Sequence, residues 1–482
     1  MPLKPNPPST TQTVSPTLHS QTMISILLPS LLILLTFSTT TESQQQQHYT
    51  IKLPLLRITP SITPQQSLIR DRIRYSSLFS SSSSPPSPSP SPSPLTAPLV
   101  SAASSGSGQY LVDLRLGIPP QPPLRLVADT GSDLIWTRCS ACLSNCSSSS
   151  LRRHRPRPPA FHFRRSSSFR PHHCYDPPCR LVPHPRHRCD PHRHLHNPCR
   201  YSYTYSDLSV SAGYFSRDVF TLNSSSSAVR RLRLSFGCAA NVSGPSLTGP
   251  SFGSATGVLG LGRGPTSFPS QIAAGGDEDD VFSYCLMDYT LSPPPTSFLL
   301  IGGAPSAAST KMRFTPLLPN PPTSPTFYYV GIESVSVDGS VVPIDQSIWA
   351  VDSMGRGGTV VDSGTTLTFL PGKAYRRIVA AVRRRLTTAE AAAGFDLCVN
   401  SSSEAARMPR VEFGLRGGAK FGPPPENYFI EAAEGLRCLA MQAVRSGGGT
   451  AVIGNLMQQG FLFVFDRAQS RLGFTRSDCA SL

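Results

Sequence analysis

The sequence predicts a mainly β protein of two related β-rich lobes, with a functional site in the cleft between them. Three observations favour this fold class. The 482 residues exceed one typical domain and suffice for two lobes with sizeable cores. Short apolar or alternating runs, broken by Gly and Pro clusters, outnumber helical patterns. Finally, a four-residue motif that begins with Asp and contains Gly recurs 233 positions after its first occurrence, each time behind an apolar run.

Most of the expected secondary structure is strand. Four runs have the composition of buried or half-buried strands, at residues 110–116, 298–301, 328–337 and 461–465. The clearest helical pattern covers residues 373–386, where apolar side chains recur on one face and most arginines lie off it. The apolar positions are Tyr375, Ile378, Val379, Val382 and Leu386. We therefore expect one surface helix there, in a chain that is otherwise mainly β.

The repeated motif supplies two carboxylates on similar tight turns. Its copies are Asp129-Thr130-Gly131-Ser132 and Asp362-Ser363-Gly364-Thr365. Two carboxylates held about 3 Å apart cannot both ionise, so they share one proton. The ionised partner accepts a proton from an attacking water, and the protonated partner donates a hydrogen bond to the carbonyl oxygen under attack. The pair therefore predicts hydrolysis of amides, with Asp129 and Asp362 as the catalytic residues.

A second repeat follows the first. Val258-Leu259-Gly260 comes after the first tetrad, and Val452-Ile453-Gly454 comes after the second. Within the tetrads, the glycines allow the backbone to approach the carboxylates, and the hydroxyls of Ser132 and Thr365 are placed to steady them. Duplication of both features favours one shared site over a chance match.

With these two repeats the chain resembles the pepsin-like aspartic proteases, in which each lobe contributes an Asp-Thr/Ser-Gly loop crossed by a glycine-containing strand. More narrowly, it is similar to the plant nepenthesin-type branch. The motifs behind that narrower resemblance lie within roughly residues 108–479, at 129–136, 236–238, 260–264, 282–286, 361–365 and 454–459. The resemblance implies the bilobal pepsin-like fold, an aspartic endopeptidase most active in acid, and no cofactor or metal.

The resemblance also implies a flap, a hairpin whose tyrosine closes over the substrate. Such enzymes commonly carry a Tyr-Gly-Asp-Gly-Ser run, and residues 205–209 occupy the matching position, which makes Tyr205 the expected flap residue. Ser206 and Leu208 replace both glycines, so the turn loses easy access to positive φ at those positions. The flap is expected to exist, with an altered turn.

Four segments are expected along the chain. Residues 1–44 form a leader and secretory signal, because residues 23–38 are an apolar stretch of signal-peptide length, and Met23 competes with Met1 as the start. Residues 45–100 form a basic pro-segment and a Ser/Pro linker. The N-terminal lobe follows at residues 101–310 and the C-terminal lobe at 311–482. The arginines of residues 68–74 are expected to pair with the cleft carboxylates and to separate in acid.

Twelve cysteines lie after the expected signal, and their even number predicts up to six disulfides in an oxidising compartment. They are Cys139, Cys142, Cys146, Cys174, Cys179, Cys189, Cys199, Cys238, Cys285, Cys398, Cys438 and Cys479. The family resemblance implies the pairs Cys285–Cys479 and Cys398–Cys438. Four Asn-x-Ser sequons are glycosylation candidates: Asn145, Asn223, Asn241 and Asn400.

Much of the net charge of +16 lies in a basic segment, residues 152–200. It holds twelve arginines against Asp176 and Asp190, with nine of the eleven histidines. The favoured interpretation is a solvated loop pinned by disulfides. An acid-sensitive site for polyanions such as cell-wall pectate is the first alternative, because histidine gains charge in acid. Zinc binding is disfavoured by the absence of finger spacing, and nucleic-acid binding by the absence of a recognisable module.

The sequence-based hypothesis is a secreted, monomeric aspartic endopeptidase that hydrolyses peptide bonds at acidic pH without cofactor or metal. Its expected partners are protein or peptide substrates and, through the basic segment, an acidic polysaccharide, but neither nucleic acid nor, after signal removal, a membrane. The expected location is the apoplast or cell wall, with the vacuole as an alternative. The alternative function is a catalytically weak or inactive binding protein of the same fold, similar to the plant xylanase inhibitors.

Overall fold

The computed structural model describes residues 51–57, 65, 68–69, 71–72, 75, 109–140, 160–185, 189, 195–204, 209–223, 229–248, 252, 255–275, 279–287, 297–303, 311–322, 324–400, 408–444 and 449–479. The predicted leader, the Ser/Pro linker at residues 81–94, and Tyr205, Cys142, Cys146 and Asn145 lie outside these residues. The described residues belong to one compact unit that begins at His48. The fold is mainly β, as the sequence predicts.

In its described residues, the first part of the chain forms strands β1 to β12 and the helices α1 and α2, and residues 65, 68–69, 71–72 and 75 are also helical. The strands are β1 (Ile51–Arg57), β2 (Tyr110–Leu116), β3 (Leu124–Asp129), β4 (Trp136–Ser140), β5 (Phe161–His162), β6 (Arg170–Pro171), β7 (Arg200–Thr204), β8 (Val210–Asn223), β9 (Val229–Ser243), β10 (Gly257–Gly260), β11 (Val281–Cys285) and β12 (Ser297–Ile301). The helices are α1 (Pro245–Thr248) and α2 (Phe268–Ala274), and short 3-10 turns lie at Phe163–Arg165 and Pro177–Leu181.

The second part forms strands β13 to β28 and two further helices. The strands are β13 (Arg313–Pro316), β14 (Tyr329–Val330), β15 (Ile332–Val337), β16 (Ser340–Val341), β17 (Thr359–Val361), β18 (Thr368–Pro371), β19 (Glu390–Ala392), β20 (Phe395–Asn400), β21 (Val411–Leu415), β22 (Lys420–Phe421), β23 (Phe429–Ala433), β24 (Leu436–Leu439), β25 (Met441–Val444), β26 (Ala451–Ile453), β27 (Phe461–Asp466) and β28 (Arg471–Arg476). The helices are α3 (Gly372–Arg383) and α4 (Asn455–Gln458), with 3-10 turns at Gln346–Trp349 and Pro425–Asn427.

The largest sheet joins both parts of the chain. Its strand order is β13-β28-β27-β11-β12-β1-β2-β3-β10-β4-β9-β8-β6, with β5 paired to β4 and β7 paired to β8. Strand β1 comes from the predicted pro-segment, yet it is antiparallel to β12 on one side and to β2 on the other. The second part adds three smaller sheets, β14-β17-β26-β18-β25, β16-β15-β21-β22 and β19-β20-β24-β23.

The predicted strands and helix are present with small changes in their bounds. The run at residues 110–116 is β2, and the run at 328–337 divides into β14 and β15 at Gly331. Helix α3 buries Ala374, Tyr375, Ile378, Ala381 and Val382 and exposes Arg376 and Arg377. The apolar stripe therefore holds this helix on the surface of the second part, as its periodicity indicates.

Each Asp-containing tetrad follows a strand that lies parallel to its glycine strand. Gly260 of β10 is opposite Asp129 of β3, and the Asp362 N–H donates to Ile453 O of β26 at 3.2 Å. A Cβ atom at Gly260 would lie 2.3 Å from the Asp133 backbone, and one at Gly454 would lie 2.2 Å from Leu367 O. Glycine is required at both points because the loop behind each aspartate crosses there. The sequence duplication is thus a structural duplication.

Five disulfides lie within the described residues. Both pairings that the family resemblance implies are present, Cys285–Cys479 and Cys398–Cys438. The others are Cys139–Cys238, Cys174–Cys189 and Cys179–Cys199. Within the ranges that the structure describes, no helix has both the length and the apolar composition of a membrane span.

Candidate active site

Reciprocal hydrogen bonds tie the two tetrads together. The Thr130 N–H donates to Ser363 Oγ at 3.1 Å, and the Ser363 N–H donates to Thr130 Oγ1 at 2.9 Å. Each hydroxyl then donates to the other strand, Thr130 to Val361 O at 3.4 Å and Ser363 to Ala128 O at 3.1 Å. These four buried bonds fix the loop that follows β3 against the loop that follows β17.

Both aspartates are held in the same way by their own loops. Asp129 accepts hydrogen bonds from the Gly131 N–H at 3.0 Å and from the Ser132 hydroxyl at 2.8 Å. Asp362 accepts from the Gly364 N–H at 2.8 Å and from the Thr365 hydroxyl at 2.6 Å. The side chains are buried, with exposures of 0% and 1%. Every residue of the two predicted tetrads therefore contributes to one symmetric arrangement.

A second set of buried polar side chains supports the loop of Asp362. Asn455 donates to Ser363 O at 2.8 Å, and Gln458 donates to the backbone carbonyl of Asp362 at 3.3 Å. The Tyr284 hydroxyl donates in turn to Gln458 Oε1. Sequence reasoning identified these residues only as parts of family motifs and assigned them no role. Asn455 and Gln458 are fully buried at the two ends of the short helix α4, and this burial points to such a role because a buried amide requires partners.

Asp133 is a third acidic residue beside the site. Its carboxylate accepts hydrogen bonds from the Gly264 N–H at 2.8 Å and from the Thr326 hydroxyl at 2.7 Å, so it links the first part of the chain to the second. The residue as a whole is half-buried, yet burial of its carboxyl group raises the pKa of Asp133 above the ordinary 3.8. The two hydrogen bonds and Arg467 oppose this rise only in part.

The raised pKa of Asp133 predicts a pH-dependent effect on stability. The protonated Asp133 carboxyl stabilises the folded protein, and this contribution to the free energy of unfolding is complete below the ordinary pKa of 3.8. The contribution is lost as the pH rises through the raised pKa of the folded protein, because the buried ionised form is disfavoured. We expect Asp133→Asn to raise the Tm at pH 7 and to change it little at pH 3.5, measured by calorimetry. The control is Asp352→Asn, whose exposed carboxylate pairs with Arg356 and offers no such gain. An equal gain from Asp133→Asn at both pH values would contradict this.

The predicted flap corresponds to the hairpin of β7 and β8. The two strands are antiparallel, and Thr204 opposite Val210 is their last pair before the turn. Tyr205 is the next residue in the sequence after Thr204, and it lies outside the described residues. Trp136 is buried and stacks on Phe252, and its indole N–H has no hydrogen-bond partner within the part of the chain that the structure describes. The hairpin is therefore present, and the role of Tyr205 stays a prediction.

The described residues of the pro-segment contact the second part of the chain. Leu68, Asp71 and Tyr75 are helical and buried, with exposures of 2%, 0% and 5%. The Leu367 N–H, five residues after Asp362, donates to Asp71 Oδ2 at 2.5 Å. The Tyr75 hydroxyl donates to Thr450 O at 2.6 Å, and its ring stacks on Phe369 with the ring centroids 4.7 Å apart.

Arg72 is the described arginine of the three in this segment. It donates to Gln442 Oε1 through Nε at 3.2 Å, and to Gly394 O through Nη2 at 3.3 Å. Arg70 and Arg74 lie outside the described residues, so pairing of the segment with the carboxylates of Asp129 and Asp362 stays a prediction.

The basic segment contains a cluster of metal-ligand residue types. One ligand-type atom each from Cys179, His184, Cys189 and Cys199 lies within 4.8 Å of the others. All three cysteines are in disulfides, and zinc binds the free thiolate, so this donor set in its oxidised form does not fit the metal. His184 donates from Nδ1 to Arg200 O at 2.7 Å. The cluster fits the favoured interpretation, a loop braced by disulfides.

Three of the four predicted glycosylation sites lie within the described residues, and two of these asparagines are known to be exposed. Asn241 in β9 and Asn400 at the end of β20 are exposed, as glycan attachment requires, and Asn223 is the last residue of β8. Glycosylation at these three positions and at Asn145 stays a prediction.

Comparisons with known proteins identify the family. Two family models match, the one described as Xylanase inhibitor N-terminal over residues 110–303 and the one described as Xylanase inhibitor C-terminal over residues 327–476. Aspartic proteinase nepenthesin-1 of Nepenthes gracilis is 33% identical over 383 residues, covering 78% of this chain and 79% of the relative. The chain belongs to the pepsin-like aspartic protease family. This confirms the resemblance that the tetrads and glycine runs indicate.

Other comparisons agree with this membership. Aspartyl protease family protein 2 of Arabidopsis thaliana is 36% identical to this aspartic protease family member over 387 residues, covering 79% of the chain and 73% of the relative. The crystal structure of edgp aligns with a TM-score of 0.65 and 19% identity, over 90% of this chain and 96% of that one. Basic 7S globulin from soybean aligns with a TM-score of 0.60 and 19% identity, over 89% and 97%. These two structures show the fold alone.

Proposed function

We propose that this aspartic protease family member is an endopeptidase that hydrolyses peptide bonds in acid, with Asp129 and Asp362 as its catalytic pair. The observation that carries the proposal is the symmetric support of the two carboxylates. Each accepts from one backbone N–H and one hydroxyl of its own tetrad, and reciprocal bonds between Thr130 and Ser363 tie the loops together. Support of the same kind for both carboxylates is what a paired acid–base device requires.

The chemistry follows from like charge and burial. The proposed mechanism uses one carboxylate in its ionised form and the other in its protonated form, and the hydroxyls of Ser132 and Thr365 donate hydrogen bonds to the two side chains. The ionised carboxylate removes a proton from water as the water attacks the peptide carbonyl. The protonated carboxyl stabilises the charge that develops on the carbonyl oxygen and then supplies the proton that the leaving amine requires. No covalent intermediate is needed.

The rest of the chain supports a location, a maturation step and a substrate-binding flap for the proposed enzyme. The five disulfides fit an oxidising compartment, which supports secretion to the apoplast or cell wall, or delivery to the vacuole. Residues 45–100 would be removed on maturation, by cleavage at the Ser/Pro linker. Tyr205 would close over the substrate from the β7–β8 hairpin, where its hydroxyl is a candidate partner for the indole N–H of Trp136. The proposed partners are protein or peptide substrates, bound by a monomer.

The second candidate function is a binding or inhibitor protein without turnover. It is favoured by the family models that match this chain, both of which are described as xylanase inhibitor domains. The intact tetrads favour the enzyme.

Hydrolysis of a denatured protein distinguishes the two functions. We expect the purified protein, after incubation at pH 4 to remove the pro-segment, to cleave acid-denatured haemoglobin at pH 3–5 and to be inhibited by a pepstatin-type transition-state mimic. The double variant Asp129→Asn with Asp362→Asn, treated in the same way, is the control for contaminating proteases. Equal cleavage by both preparations, or none by either after verified trimming, would favour the binding protein.

A further inference from the structure

Exposed arginines from four strands lie on one face of the largest sheet. Five arginines form this arginine face, and all of them are exposed: Arg115 on β2, Arg170 on β6, Arg217 on β8, and Arg231 and Arg233 on β9. Four separate strands contribute to it, so the set is not visible as a run in the sequence.

Strand register places these side chains together. Thr221 in the middle strand β8 pairs with Arg115 of β2 on one side and with Arg231 of β9 on the other. Two residues along β8, Val219 is opposite Arg233, and two further along, Arg217 is opposite Arg170 of β6. Residues directly opposite one another, and residues two apart on one strand, project from the same side of a sheet. The five arginines therefore share one side.

Burial confirms which side faces outward. Leu232 and Leu234 alternate with the two arginines of β9 and are buried, with exposures of 7% and 4%. Leu114 and Leu116 flank Arg115 on β2 in the same way, with exposures of 2% and 1%. The leucines point into the core, so the arginines point away from it. Val219 and Thr221 of β8 lie between the arginines on the same side and are themselves buried, with exposures of 6% and 9%, so the exposed part of the face consists of the arginine side chains.

The spacing of the face suits an extended ligand. Neighbouring strands lie about 4.8 Å apart, and residues two apart on a strand lie about 6.8 Å apart. The three rows therefore present guanidinium groups over about 14 Å along the strands. Each guanidinium can hold a carboxylate through two parallel hydrogen bonds, which a lysine cannot do.

The surrounding sequence leaves this charge largely uncompensated. Residues 101–270 contain twenty arginines, no lysine and seven aspartates. Among the aspartates near the face, Asp113 forms an ion pair with Arg125 at 3.3 Å, and Asp218 is fully buried on the opposite side of β8, where Ser166 donates to it at 3.1 Å. A ligand with many negative charges is thus complementary to this surface.

We propose that the arginine face is a docking site for a linear polyuronate, a polysaccharide of the pectate type that carries one carboxylate on each sugar. The paired residues of the face include no aromatic ring on which a nucleic-acid base could stack, which favours a carboxylated sugar chain over single-stranded nucleic acid. The site differs from the histidine-rich loop of the basic segment in one measurable respect. Arginine stays charged from pH 4 to pH 8, whereas histidine loses its charge near pH 6.5.

Binding of the full-length, disulfide-bonded protein to immobilised polygalacturonate tests the site. We expect Arg231→Glu with Arg233→Glu to weaken binding at least tenfold at pH 5 and at pH 7.5, and added salt to weaken binding of the unmodified protein steeply. The matched control is Arg376→Glu with Arg377→Glu on α3, which makes the same change in net charge at another exposed surface and should leave binding within twofold. The Tm of both variants establishes that they are folded.

Three outcomes would overturn the proposal. Equal weakening by the two variants would mean that net charge alone binds the polymer. Loss of binding between pH 5 and pH 7.5 in the unmodified protein would assign binding to histidine. Stronger displacement by a single-stranded oligonucleotide or by anionic vesicles than by soluble polygalacturonate would assign the face to another partner. Should the glutamate variant fail to fold, Arg231→Gln with Arg233→Gln must show a smaller loss in the same direction.

Discussion

Asp362→Asn, or Asp129→Asn, is expected to lower kcat for acid-denatured haemoglobin at pH 4 by a factor of about a thousand or more, with KM changed only a few-fold. General acid and general base steps each contribute about 10²–10⁴ to a rate, and one asparagine removes the ability of the pair to share a proton. In Asp362→Asn the amide oxygen still accepts from the Gly364 N–H, and the amide nitrogen donates to the Thr365 hydroxyl oxygen, which reverses that hydrogen bond but keeps both partners. The loss should therefore appear in the chemical step and not in binding.

The control for this substitution is Asp352→Asn. That exposed aspartate lies at an ion pair with Arg356 on the surface, and its replacement should leave kcat within twofold. The Tm of each variant, measured at pH 4, separates loss of chemistry from loss of fold. More than a few per cent of the original turnover in either catalytic variant, once purified free of other proteases, would refute the assignment of that aspartate.

Asp71→Ala with Tyr75→Ala is expected to detach the pro-segment from the second part of the chain in the uncleaved precursor. The first change leaves the buried Leu367 N–H without its carboxylate acceptor, at a cost of about 1–3 kcal/mol. The second removes a ring that stacks on Phe369, at a cost of about 3–5 kcal/mol if the cavity does not collapse. Hydrogen exchange of the Leu367 amide should accelerate by two orders of magnitude or more, and the Ser/Pro linker should be cut faster by an added protease.

Ile69→Ala is the matched control for that experiment. Ile69 lies in the same helical stretch but is 57% exposed, so its truncation should leave the Leu367 amide as protected as before. If the double variant and the Ile69 variant exchanged at the same rate, the contacts of Asp71 and Tyr75 would not hold the segment in solution.

The two Asp-containing tetrads were predictable because the residues that determine their structure are close together in the sequence. Asp129 and Asp362 each lie in a short string in which every residue has a hydrogen-bonding role, and the same string occurs twice. The glycine strands were predictable for the same reason, since Gly260 and Gly454 are needed where backbones cross. The start of α3 followed from one uninterrupted apolar stripe, whereas its end at Arg383 lies three residues before the predicted end at Leu386.

The contacts that sequence reasoning missed are nonlocal. Asp71 and Leu367 are separated by 296 residues, and the sequence around each residue gives no sign that the two form a hydrogen bond. The partners of Gln458 are similarly distant, since Tyr284 lies 174 residues away. The distribution of positive charge was also hard to predict from the sequence, for the same reason. The contiguous arginines of the basic segment are conspicuous in the sequence, whereas Arg115 and Arg231 become neighbours only through the register of three strands.

The uncleaved protein folds with strand β1 as part of its own chain, whereas a trimmed form would have to fold without a covalent link to this strand. It fills the position between β12 and β2, and it belongs to the segment that maturation would remove. A cut in the linker alone would sever the chain while leaving this strand hydrogen-bonded on both edges. If β1 dissociates after cleavage, a trimmed molecule that unfolds must refold without the strand that pairs with β12 and β2. The lifetime of the trimmed molecule would then depend on its rate of unfolding and not on its equilibrium stability. One unfolding event would inactivate it, because it could not refold.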